Sequence, residues 1–149
     1  MRHLFEFPLP RGPSALTTIV VAGDPLEDAR FLLASALTCV GYDVRLAGTG
    51  DELLHEARAD DVSLVIAEVD LTCADGPCAI EALKRTPELR HIPVLAYAAA
   101  TRVISEARAL SSGADRFLGD HANLGDVFEV IALLRQSASI ARREVGAVR

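Results

Sequence analysis

TIVVAGDPLEDARFLLASALTCVG, running from Thr18 to Gly41, holds the two periodicities that decide the fold. Its first four residues, Thr18–Val21, are β-branched and apolar without alternation, as a strand buried on both faces should be. The pattern changes at Asp24-Pro25-Leu26-Glu27, which reads as an Asp N-cap, Pro at the first helical position and a Glu closing a capping box. Leu26, Ala29, Leu33, Ala36, Leu37 and Val40 then recur at helical spacing, and Gly41 supplies a left-handed stop.

The same unit recurs along the chain. Further strand-like runs lie at Val44–Ala47, Leu64–Val69, Val94–Tyr97 and Arg116–Leu118. A second helix opens on Thr49 and Glu52 and buries Leu53, Leu54 and Ala57. A third opens at Gly76-Pro77, packs Ile80 and Leu83, and ends near Pro87. Thr101 opens a fourth, with Val103, Ala107 and Leu110 facing inward before Gly113. Asn123 caps a fifth, with Val127, Val130, Ile131 and Leu134 at helical spacing. Strands alternating with helices imply right-handed crossovers and a parallel sheet covered on both faces. The predicted architecture is α/β: a (βα)5 doubly wound five-stranded sheet in flavodoxin-like order 2-1-3-4-5, with its ligand crevice beyond the carboxyl ends of the strands. The domain is expected over 17–137, flanked by a Pro-rich tail at 1–16 and a tail, or an extension of the last helix, at 138–149.

Composition narrows the function. The chain has 149 residues, half of them hydrophobic and 24% charged, which suits one globular domain. A net charge of −6 with no basic stripe argues against nucleic acid as a partner. No apolar run is long enough to cross a membrane as a helix, and the N-terminus makes a poor signal peptide, so a cytoplasmic location is expected. There Cys73 and Cys78, five residues apart, read as reduced, partly buried thiols rather than as a redox pair.

Five short motifs stand in register: Gly41-Tyr42, the Ala47–Gly50 stretch, Asp75-Gly76, Ile92-Pro93 and Gly113-Ala114-Asp115. Together, over about Thr18 to Leu134, they resemble the receiver domains of two-component response regulators. That resemblance implies Mg²⁺-dependent phosphoryl transfer onto an aspartate ending the third strand. An acidic pair after the first strand helps to hold the metal. A hydroxyl residue ends the fourth strand and a Lys, usually followed by Pro, ends the fifth. The chemistry needs those residues, because phosphoryl transfer is mostly positioning and charge neutralisation.

Each of those positions has changed here. The acidic pair falls on Ala22 and Gly23, with Asp24 adjacent, and the acceptor position on Glu68. The hydroxyl position falls on Ala98 and the Lys position on Asp120, followed by His121 in place of Pro. Only the aromatic of the fifth strand is kept, as Phe117. Asp24 reads as a helix cap, and Asp70 occupies a position where the family uses backbone. Glu68 carries an extra methylene and Asp120 inverts the charge that steadies a phosphoryl group. Asp24, Glu68 and Asp120 are expected to converge as solvated acids, with no metal or other cofactor. The Asp120–His121 bond is expected to be trans. His121, His55 and His91 read as loop histidines.

The expected function is a phosphorylation-independent signalling module that is not an enzyme and binds other signalling proteins. The resemblance places its contact surface on the fourth helix, fifth strand and fifth helix, with Arg102, Glu106, Arg116 and Asp126 of mixed sign. Self-association through that face is a further expectation. Whether Glu68 imitates a phosphorylated aspartate or leaves an inactive-like state is open. The alternative is a response regulator with an unorthodox input, either a cation or small ligand in the acidic pocket, or a non-standard phosphoacceptor.

Overall fold

The computed structural model describes residues 18–26, 28–98, 106–119 and 125–134. The strands are β1 (Thr18–Ala22), β2 (Asp43–Ala47), β3 (Val62–Glu68), β4 (Val94–Tyr97) and β5 (Arg116–Leu118). They pair in parallel in the order β2-β1-β3-β4-β5, the predicted topology. The helices are α1 (Asp28–Cys39), α2 (Gly50–Ala57), α3 (Ala79–Arg85), α4 (Glu106–Ser111) and α5 (125–134).

β1 and β3 are buried along their whole length, so each contributes to two cores. On one face Val20, Val65, Ala67 and Ala96 pack under α2 and α3 with Leu53, Ile80 and Leu83. On the other, Ile19, Val21, Leu64, Ile66, Leu95 and Tyr97 meet Leu37 of α1 and Val127, Ile131 and Leu134 of α5. Alternate residues of one strand feed opposite layers, as the pleat dictates. The edge strand β2 is less enclosed except at its last residue, the buried Ala47, and Leu46 is exposed.

The second helix starts as its capping box predicts: Thr49 Oγ1 accepts from Glu52 N at 3.1 Å, while Glu52 Oε2 accepts from Gly48 N at 2.7 Å. Gly41 and Gly113 take the positive φ of helix stops.

Several expectations are corrected. Asp24 does not cap α1. Its Oδ1 accepts from Leu26 N at 2.9 Å, a turn bond, and the helix begins at Asp28. Hydrogen bonds from Gly23 N to the Ala47 carbonyl and from Asp24 N to the Glu68 side-chain Oε2 hold the chain at the sheet edge before it can coil. Leu26 consequently leaves the apolar stripe and is 91% exposed. On α4 the inward residue is Ala109; Ala107 and Leu110 face out. Gly76-Pro77 belongs to a turn, and α3 begins at Ala79, so its cap position is Cys78. Leu54 is only half-buried, and Val69 lies just past the end of β3. Glu27, Thr101, Val103, Asn123 and both predicted tails lie outside the described residues.

Candidate functional site at the carboxyl edge of the sheet

Three strands end side by side at the predicted crevice. Register pairs Ala22 with Ala67 and Glu68 with Tyr97, so Glu68 stands one step beyond Ala22, flanked by β4. Ala22 and Gly23 are buried, and Glu68 is only 6% exposed. The Glu68 carboxylate bends over the end of β1, where Oε2 accepts from Asp24 N at 3.0 Å. A buried carboxylate needs such a donor, since burial without one carries a large desolvation penalty. The expectation of solvated acids is therefore corrected for Glu68. The Asp24 residue is exposed, but its backbone amide, not its carboxylate, makes the inward bond.

Tyr97, the last residue of β4, is 4% exposed and crosses the same space. Its hydroxyl donates to Ala22 O at 3.2 Å, reaching over β3 to β1. A Cβ added at Gly23 would collide with Tyr97 Oη and stand 3.3 Å from Glu68 Oε2. Gly23 does not have the positive φ of Gly41, Gly76 and Gly113, so what requires glycine here is room.

Ala98 follows Tyr97, is half-buried and has no hydroxyl. Phe117 on β5 is half-buried against the α2–α3 core. Asp70 does use its side chain: Arg108 Nη2 of α4 donates to Asp70 Oδ1 at 3.3 Å. Asp120, His121 and the peptide bond between them lie outside the described residues, as does Arg102. His55 is on α2 rather than in a loop, and His91 is an exposed loop residue.

The loop after β3 is stitched to α2. Gly50 N donates to Thr72 O at 3.0 Å, and Ala74 N donates to Asp51 Oδ2 at 2.8 Å. Within that loop Cys73 is buried and Cys78 half-buried, both as free thiols. Burial pushes the Cys73 thiol pKa up, and the charges of Asp51 and Asp75, with Cys78, add to the rise. A thiol held protonated is a poor nucleophile and a poor metal ligand.

Sequence reasoning found Glu68, Ala22, Gly23 and Ala98 but passed over Tyr97 and Arg108. The signal for Tyr97 was available: a polar aromatic ending a buried strand, facing a glycine where the resemblance implies a carboxylate. Arg108 and Asp70 are 38 residues apart, and nothing in their spacing announces the pair.

Known proteins similar to this chain agree with the architecture. The response regulator receiver domain model matches residues 19–132. The response regulator PleD of Caulobacter vibrioides is 31% identical over 99 residues, which are 66% of this chain and 22% of PleD. The chain thus spans under a quarter of the curated relatives that it matches. Among solved structures, NtrX from Brucella abortus superposes with a TM-score of 0.73 at 22% identity, covering 90% of this chain and 30% of NtrX. The chemotaxis protein CheY4 of Vibrio cholerae gives 0.64 at 18% identity, covering 80% of this chain and 98% of CheY4. A response regulator from Desulfuromonas acetoxidans gives 0.60 at 26% identity, covering 84% and 94% respectively.

Proposed function

Because this chain belongs to the response regulator receiver domain family, we propose that it serves two-component signalling as a phosphorylation-independent interaction module. The observation that carries this reading is the state of Glu68. At the position matching the phosphoacceptor, its carboxylate is buried and already holds Asp24 N at 3.0 Å. A phosphoryl donor would meet a carboxylate whose Oε2 is already hydrogen-bonded within the fold, with the Tyr97 hydroxyl bonded alongside to Ala22 O. Ala22 and Gly23 bring no oxygen ligands where the family places its acidic pair, and Ala98 brings no hydroxyl. Among the described residues, the side chains at the crevice do not fit a divalent cation in the family's manner.

Output then passes through surface contacts. Glu106 of α4, Arg116 of β5 and Asp126 of α5 are exposed on the face that the family uses for contacts. Their mixed signs suit salt-sensitive recognition of another signalling protein or of a second copy. The domain makes no covalent change to its partner, and its location is the cytoplasm.

The test is incubation with acetyl phosphate and Mg²⁺, read by intact mass. The expected result is no added phosphoryl group. A stoichiometric adduct overturns the proposal, and mapping it identifies the acceptor.

A further inference from the structure

The space above Gly23 is already filled by another part of the chain. Three strands contribute to that filling. β1 supplies the carbonyl of Ala22, β3 the carboxylate of Glu68 and β4 the phenol of Tyr97. The Tyr97 ring packs with core residues of α1 and α5, and its hydroxyl crosses to the end of β1. A Cβ at position 23 meets that hydroxyl before any other atom, and meets Tyr97 Cζ and Glu68 Oε2 at 3.3 Å.

We propose that Tyr97 is a built-in occupant of the crevice, and that Gly23 and Tyr97 form an interdependent pair that excludes ions and side chains from it. Glycine at position 23 is the condition for the tyrosine to lie across β3, and the tyrosine hydroxyl takes the volume that a side chain at position 23 would occupy beside Glu68. This deepens the phosphorylation-independent reading and rests on it, by naming what closes the site. The physical basis is steric. A well-packed interior accepts an added methyl only if a neighbour moves, and the neighbour here is a ring held at both ends.

A double-mutant cycle tests the pair with the smallest possible changes. Gly23→Ala in the wild-type background should lower Tm by about 5 °C or more, the scale expected for overpacking. Tyr97→Phe removes only the colliding oxygen and its bond to Ala22 O, and should lower Tm by a few degrees. In the Tyr97→Phe background Gly23→Ala should cost less than half of what it costs alone. Equal cost in both backgrounds, or no cost in the wild type, overturns the proposal.

A second measurement addresses exclusion. Millimolar Mg²⁺ should raise the Tm of the Gly23→Asp/Tyr97→Val protein and leave the wild type unmoved, because a ligand that binds only the folded state stabilises it. A shift of equal size in the wild type, or none in the double variant, overturns exclusion by Tyr97. The phosphodonor experiment fails or succeeds separately. An adduct on wild-type protein with a coupled Gly23–Tyr97 cycle would sink the functional reading and leave the pair standing.

Discussion

The hydroxyl of Thr18 donates to Asp61 Oδ2 at 2.8 Å, and Arg45 Nη2 donates to the same oxygen at 3.0 Å. These contacts join the first residue of β1, the middle of β2 and the residue before β3, away from the crevice. The Thr18 bond is the main reason the Asp61 carboxyl titrates below its ordinary value of 3.8; partial burial opposes the shift, while its own backbone N–H and Arg45 add to it.

A carboxyl whose folded pKa is depressed stabilises the protein fully above its unfolded pKa and ceases to do so as pH falls through the folded one. Wild type should therefore lose stability below about pH 4 partly through Asp61. Asp61→Asn should show a smaller acid-induced drop in Tm, the two curves converging as the pH falls further. Parallel curves from pH 7 to pH 2 would refute the linkage. The side chain is 44% exposed, so screening keeps the effect small.

Glu68→Ala and Glu68→Gln should differ. Alanine leaves Asp24 N without its inward acceptor and should cost about 1–3 kcal/mol, whereas the glutamine carbonyl can still accept and should cost far less. Urea denaturation of the three proteins measures it. Once a partner is in hand, unchanged affinity of Glu68→Ala would count against Glu68 imitating a phosphorylated aspartate.

Lys84 on α3 should matter more than its surface position suggests. Its Nζ donates to Ile92 O at 2.9 Å, to Arg90 O at 3.3 Å and to Asp115 Oδ2 at 3.0 Å, while the same Asp115 oxygen accepts from Val94 N at 2.8 Å. This fastens α3 to the entries of β4 and β5. Lys84→Met keeps the stem and removes the donors, and should destabilise by about 1–2 kcal/mol in urea denaturation. A change under 0.3 kcal/mol would mean the cluster contributes through packing alone.

Two leucines of the α1 region make a matched pair for truncation. Leu37 is 1% exposed and Leu26 is 91% exposed. Leu37→Ala should cost about 2–5 kcal/mol and Leu26→Ala under about 0.5 kcal/mol. Comparable losses from chemical denaturation would show that Leu26 is covered in solution.

The fold was legible because β1, β3 and β4 are buried on both faces, and such strands write unbroken apolar runs between helical periods. The Thr49–Glu52 box was legible because its partners are three residues apart. The start of α1 was misread for a physical reason. Asp24-Pro25 is helix-starting chemistry, but a bond to Glu68, 44 residues away, decides where the chain goes. The site divides in the same way. Glu68, Ala22 and Gly23 could be placed by register against a family pattern, whereas the closing contact from Tyr97 to Ala22 spans 75 residues and depends on strand order.

The position of Tyr97 gives the domain an optical reporter. The chain has no tryptophan and two tyrosines, so near-ultraviolet emission on selective excitation comes from Tyr42 and Tyr97 alone. Tyr42 is half-buried beside α1, while Tyr97 is sealed at the crevice with its hydroxyl on a carbonyl. In a Tyr42→Phe background, tyrosine fluorescence, its quenching by small solutes and its second-derivative absorbance would all report from one ring. Opening of the crevice, by a partner or by denaturant, could then be followed without attaching a label.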